Sequence, residues 1–292
     1  MKKEEFKKLT TSRYVFMDGA TGSNLIKRGM PSGVCTELWI ADNPEVISGL
    51  QKEYRQAGSD IILAPTFGAN RPLLSKHGLG DKVGELNKKL VAVSKAANPD
   101  AIIAGDVSMT GLMVEPLGDT EFEELIGVYR EQIRALCEAG VDLLDIETMM
   151  YLEDAKAAVT AAKEVCDLPI MVTMSYTEGG KTMYGNSPDE VICAMQELGV
   201  DACGINCSAG PDNVLPIVEK MDEYAKVPLI VKPNAGLPER DKDGNTIYSM
   251  GPKEFVDCFD DILKYNVRII GGCCGTTPEH IKELYKRFAD LT

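Results

Sequence analysis

Histidine is scarce, with two in 292 residues, and basic residues are outnumbered, 31 against 45 acidic, for a net charge of −14. That balance argues against nucleic acid, whose binding needs concentrated lysine and arginine, and no basic stripe is present. No apolar run approaches the roughly 20 residues that span a bilayer. The start, Met1-Lys2-Lys3-Glu4-Glu5-Phe6-Lys7-Lys8, is charged, but no apolar signal core follows it, so a cytoplasmic address is expected. The nine cysteines are odd in number and scattered singly, except for one adjacent pair. This is no disulfide framework, and a reducing compartment leaves such thiols free for metal or catalysis. No Gly-x-Gly-x-x-Gly turn and no Walker-type phosphate loop appears, and no Pro/Ser-rich linker or charge block divides the chain, so residues 1–292 read as one domain.

What is present centres on Arg268-Ile269-Ile270-Gly271-Gly272-Cys273-Cys274-Gly275-Thr276-Thr277-Pro278. An apolar run enters a glycine pair, two cysteines and a third glycine. A helix start follows, with Thr277 as N-cap and Pro278 in the first turn. In a regular strand Cys273 and Cys274 would point to opposite faces. The glycines are expected to supply the unusual backbone angles that bring both sulfurs to one point. Cys207, at the end of Val200-Asp201-Ala202-Cys203-Gly204-Ile205-Asn206-Cys207, is the candidate third thiol. Three thiolates and an open position make a catalytic zinc pattern. Ordinary buried thiols are the alternative at this point.

The chain alternates between strand and helix. Apolar strands read at 14–17, 60–63, 101–106, 141–148, 169–174, 200–206, 228–232 and 267–270. Between them, helices read at 44–57, 82–97, 120–139 (a Thr120/Glu123 capping box), 152–165, 187 onward, 212–224 and 252–265. Continuously apolar strands alternating with helices mean a parallel sheet covered on both faces. Eight units in a chain near ~250 residues give the fold class expected here, an α/β protein that is a single (β/α)8 TIM barrel.

In such a barrel the C-terminal strand ends converge on one mouth. Asp18, Glu147, Cys207, Cys273 and Cys274 would then meet there. Carboxylates beside an anionic metal-thiolate site suit an ammonium group. The backbone amides of Gly19, Ala20 and Thr21 could take a carboxylate. Together these read as a site for an amino acid whose side chain reaches the metal. The plainer readings are a turn-capping role for Asp18 and a strand-end salt bridge for Glu147. His77, in a polar turn, and His280, in the first turn of the last helix, read as surface residues.

Six stretches, in order along nearly the whole chain, resemble the homocysteine S-methyltransferase family. They are Met17-Asp18-Gly19-Ala20-Thr21-Gly22, Pro65-Thr66-Phe67-Gly68-Ala69, Ile146-Glu147-Thr148, Gly204-Ile205-Asn206-Cys207-Ser208, Lys232-Pro233-Asn234-Ala235-Gly236 and the Gly271–Pro278 segment. The likeness is strongest to the homocysteine-binding module of cobalamin-dependent methionine synthase. It implies a zinc on Cys207, Cys273 and Cys274, homocysteine sulfur as fourth ligand, and the amino group held by Asp18 and Glu147. The sequence ends at Thr292 with no stretch for a folate or cobalamin domain. The expected methyl donor is therefore methylcobalamin on a separate corrinoid protein, docking on loops that include Arg28-Gly29-Met30, Phe67-Gly68-Ala69-Asn70 and Met109-Thr110-Gly111-Leu112. S-methylmethionine or betaine as donor, and another thiol or selenol as acceptor, stay open. A non-catalytic zinc-binding barrel is the rival from outside enzymology. Cys35, Cys137, Cys166, Cys193, Cys203 and Cys258 are expected to be dispensable for metal.

Overall fold

A computed structural model describes residues 1–242 and 246–291. Eight parallel strands form the barrel: β1 (Val15–Phe16), β2 (Ile61–Leu63), β3 (Ile102–Val107), β4 (Leu143–Met149), β5 (Ile170–Met174), β6 (Ala202–Asn206), β7 (Leu229–Lys232) and, eighth in the ring, β10 (Val267–Ile270). Between β7 and β10 lies a short antiparallel hairpin, β8 (Pro238–Arg240) and β9 (Thr246–Tyr248). The sheet order is β1-β10-β7-β6-β5-β4-β3-β2. A parallel bridge from Met17 to Ile61 joins its two ends, with Asp18 N–H donating to Ile61 O at 3.1 Å. The (β/α)8 barrel expected from the alternation is thus the observed fold.

Inward positions recur every second residue, as strand geometry requires. Val15, Met17, Ile61, Leu63, Ala104, Leu143, Met171, Ala202, Ile230 and Ile269 form one apolar cluster inside the ring. Phe6 joins it from the helix Lys3–Ser12, with Leu9 packed alongside. The charged N-terminal stretch is therefore an amphipathic helix set against the barrel interior. Two positions further along, the inward residues become polar: Asp106, Asp145, Thr173 and Lys232 follow Ala104, Leu143, Met171 and Ile230, and all four are buried. The barrel interior thus passes from an apolar layer to a polar one toward its C-terminal mouth.

Some helix boundaries differ from the sequence reading. The helix Phe122–Ala139 begins after Glu121, and no Thr120 cap forms, because Thr120 N–H bonds Met113 O at 3.1 Å and Thr120 bridges Val114. Residues 252–265 divide into Pro252–Asp257 and Phe259–Ile262, and the helix expected at 212 runs Leu215–Asp222 with Pro216 in its first turn. The Ser187/Glu190 capping box is present: Ser187 N–H donates to Glu190 Oε2 at 2.8 Å. Among the described residues no helix is long and apolar enough to cross a membrane.

Candidate functional site

The three cysteines meet at the mouth. The sulfurs of Cys207, Cys273 and Cys274 lie within 4.8 Å of one another, and those of Cys207 and Cys274 are 3.4 Å apart. Cys207 follows β6 with φ of +49°, a left-handed conformation that costs a non-glycine residue energy and turns its side chain out of the strand's alternation. Its N–H bonds Lys232 O at 3.3 Å, and Cys273 N–H bonds Pro233 O at 2.8 Å, so both thiols are hung from the end of β7.

The glycine pair works differently from the expectation. Gly271 and Gly272 do not take left-handed angles; of this turn's glycines only Gly275 does, at φ +82°. Their missing side chains matter instead. A Cβ on Gly271 would lie 2.9 Å from Asp18 O, and one on Gly272 would lie 2.4 Å from Thr276 Oγ1. The cysteine turn therefore closes directly onto the turn after β1. Thr276 locks the two together: its hydroxyl accepts from Ala20 N–H at 3.1 Å and donates to Cys273 O at 2.7 Å. Of the three turn amides expected to take a carboxylate, Ala20's is thus committed. Those of Gly19 and Thr21 have no hydrogen-bond acceptor among the described residues.

A cavity of about 290 Å³ opens beside the sulfurs, lined among others by Gly19, Ala20, Thr21, Glu147 and Lys232. Glu147 makes the strand-end salt bridge: its Oε2 lies 2.6 Å from Lys232 Nζ and also accepts from Asn206 Nδ2 at 3.3 Å. No hydrogen bond reaches Oε1 among the described residues. Asp18 is placed differently. Its Oδ2 accepts from Leu63 N–H at 2.9 Å, while Oδ1 is buried without a partner, and the residue does not line the cavity.

Four buried carboxylates, Asp18, Asp106, Asp145 and Glu147, surround the single ammonium of Lys232. Burial pushes Asp18 and Asp145 each up to about 7, against the opposing pull of Lys232. Burial, then Glu147 and Asp145, hold Asp106 well above the carboxylate range. Burial alone would lower Lys232, but Glu147, Asp145 and Asp18 outweigh it and keep it charged. Among the thiols, hydrogen bonds with Cys207 and Cys273 draw Cys274 down, while those with Cys207 and Cys274 push Cys273 up.

Several contributors escaped the sequence reading. Asn206 bridges the site: it donates to Thr148 Oγ1 at 2.7 Å and accepts from Thr148 N–H at 3.0 Å, holding Thr148 at φ +57°. Tyr248 on β9 lies over Gly275, where a Cβ would meet its ring at 2.3 Å. Lys232 carried a usable signal, since it is the single charge of an otherwise apolar strand run, Leu229–Lys232, whereas Asp145 shares its strand with Glu147. His280 is buried, not on the surface. Its Nδ1 accepts from Thr277 N–H at 3.2 Å, which leaves Nε2–H to donate to Met250 O at 3.1 Å, so the ring caps the last helix. His77 is exposed, as expected.

Comparison with known proteins places this arrangement. Methionine synthases from Mycobacterium leprae (strain TN) and Mycobacterium tuberculosis (strain ATCC 25618 / H37Rv) are each 28% identical over 93% and 96% of this chain. The chain spans only 24% and 25% of their lengths. Solved structures of the homocysteine methyltransferase MmuM from Escherichia coli share the fold. The oxidised form superposes with a TM-score of 0.81 at 23% identity, covering 97% of this chain and 99% of that one; the metallated form superposes with a TM-score of 0.78, covering 96% and 98%. A sequence profile of the homocysteine S-methyltransferase family matches residues 15–288, and the chain belongs to that family.

Proposed function

We propose that this protein transfers a methyl group to the thiol of homocysteine, giving methionine, at a zinc held by Cys207, Cys273 and Cys274. The observation that carries the reading is the meeting of three sulfurs within 4.8 Å of one another beside a cavity that also presents Glu147. The donor set fits zinc: three thiolate ligands leave one tetrahedral position for a substrate atom. Zinc bound there would supply the charge that keeps a substrate sulfur as thiolate at neutral pH.

The chain's own residues bind and orient. Glu147 accepts the substrate ammonium through Oε1; Asp18, bonded to Leu63 N–H behind the first turn, supports that turn from outside the cavity. The amides of Gly19 and Thr21 take the substrate carboxylate. These contacts at one end of a short amino acid fix the thiol at the other, and methyl transfer needs that alignment, with reacting atoms about 3–3.5 Å apart. The substrate sulfur attacks the methyl carbon; the bond from methyl to donor breaks, and its electron pair leaves with the donor. We read the donor as methylcobalamin on a separate corrinoid protein, and the chemistry as cytoplasmic. The resemblance to the homocysteine-binding module of cobalamin-dependent methionine synthase supports this. So does the exposure of apolar side chains in the segments that follow barrel strands, Ile26 after β1, Phe67 after β2, Met183 after β5 and Leu237 after β7, with Phe67 lining the cavity.

The test is methyl transfer to homocysteine by zinc-loaded protein, with methylcobalamin (free or protein-borne), S-methylmethionine and betaine as donors in turn. Turnover with corrinoid alone supports the full reading. Brisk turnover with a sulfonium or betaine and none with any corrinoid replaces the donor and keeps the homocysteine site. Methylation of another thiol or a selenol in place of homocysteine replaces the acceptor. No transfer to any acceptor leaves a zinc-binding barrel.

A further inference from the structure

Lys232 reaches across the barrel. It ends β7, yet its ammonium meets two residues of β4, and β6 and β5 stand between those strands in the sheet. Nζ lies 2.6 Å from Glu147 Oε2 and 3.4 Å from Asp145 Oδ2. Asp145 and Glu147 are two positions apart on one strand, so both point inward, one above the other. A fully buried lysine is costly unless paired, and here it is paired with two acids at once.

Pairing has a consequence for Glu147. A free carboxylate rotates and shares its oxygens among all donors. Here Oε2 is fixed by both Lys232 and Asn206, and Oε1 has no hydrogen-bond partner among the described residues. Unlike Asp18 Oδ1, Oε1 is not among the sealed oxygens, and Glu147 lines the cavity. Asp145 anchors Lys232 from the layer below, so the lysine cannot follow the carboxylate outward.

Resting on the homocysteine reading, we propose that Lys232 is a positioning residue that clamps one oxygen of Glu147, presents the other to the substrate ammonium, and so makes the site select thiols that carry an amino group. A lysine that merely stabilised the barrel would affect every thiol alike. The clamp predicts a loss confined to ammonium-bearing ligands.

The test is calorimetric binding of homocysteine and of 4-mercaptobutanoate, its analogue without the amino group, to zinc-loaded protein. Lys232→Met should weaken homocysteine about tenfold or more, on the scale of one charge-assisted hydrogen bond, and 4-mercaptobutanoate by less than about twofold. Lys232→Arg should recover most of the loss, with zinc content constant throughout. Should Lys232→Met not fold, Asp145→Asn carries the same test, with a smaller loss again restricted to homocysteine. Equal loss for the two thiols, or none for homocysteine, in a folded variant overturns the clamp and leaves the homocysteine reading standing. Failure of the unsubstituted protein to bind homocysteine overturns both.

Discussion

The sulfurs of Cys207 and Cys274 lie 3.4 Å apart, although 67 positions separate them in the chain. Two different strand ends deliver them, and the strained Cys207 backbone is held by its bond to Lys232 O. Purified protein should therefore carry about one zinc per chain. Cys207→Ala, Cys273→Ala and Cys274→Ala should each lose it, by elemental analysis, and lose activity with it. Circular dichroism should stay that of a folded barrel, because the apolar clusters lie below and around the mouth. Cys203→Ala should keep its zinc, since that thiol is buried in the core. Full metal retention in all three mouth variants would refute the assignment.

The sequence carried much of this for a physical reason. Strands buried on both faces read as apolar runs, and the convergence of strand ends follows once the barrel is assumed. The cysteines, Asp18 and Glu147 were legible because each stands at the end of such a run. Lys232 and Asp145 were visible as charges within apolar strands, but their pairing across the ring depends on register and side-chain reach. The role of Thr276 depends on a contact with Ala20 made 256 positions away. His280 misled because a polar residue in a first helical turn looks solvent-facing, while Phe255 and Met250 O in fact enclose it.

Glu147→Gln tests the substrate side without touching the sulfurs. It removes the charge that an ammonium needs while keeping the side chain's shape. Homocysteine binding should weaken by about 1–3 kcal/mol, the range for a hydrogen bond to a charged group. Zinc content should not change. Unaltered affinity, or metal loss in its place, would show that Glu147 serves some other end.

Asp154 tests electrostatics far from the thiols. It lies in the first turn of the helix Leu152–Val165, buried, and neither carboxylate oxygen has a hydrogen-bond partner among the described residues. Burial, with Glu153 adding to it, pushes its pKa up to about 7. The folded pKa lies above the unfolded value of about 3.9, so the folded state binds more protons between those values. Stability from this group is present at low pH and lost as pH rises through about 7. Asp154→Asn, which carries no charge, should exceed the unsubstituted protein by roughly 2–4 kcal/mol at pH 8, and the gain should shrink toward pH 4. Urea denaturation at both pH values reads this directly. A gain of equal size at both would mean that no buried charge is being relieved.

The last prediction concerns the rim. Of the loop segments expected to meet a partner, Met30, Ala69 and Asn70 are buried, and Arg28 is paired with Glu53 at 2.6 Å. Phe67 is the one that both lines the cavity and stands 40% exposed. Ile26 and Leu38, from the segment after β1, are exposed as well. On the proposed corrinoid reading, a cofactor brought by another protein would reach the substrate sulfur through this opening, and apolar side chains around it would be covered on docking. Phe67→Asp removes an aromatic contact and places a charge where the partner would desolvate it, together worth on the order of 2–3 kcal/mol. The rate with protein-borne methylcobalamin should fall by about tenfold or more, while homocysteine affinity and the rate with free methylcobalamin change far less. Demethylation followed by the corrinoid's visible spectrum, with both donors side by side, separates the cases. An equal fall with both donors would show that Phe67 acts through the homocysteine cavity it lines, and remove it from the docking surface.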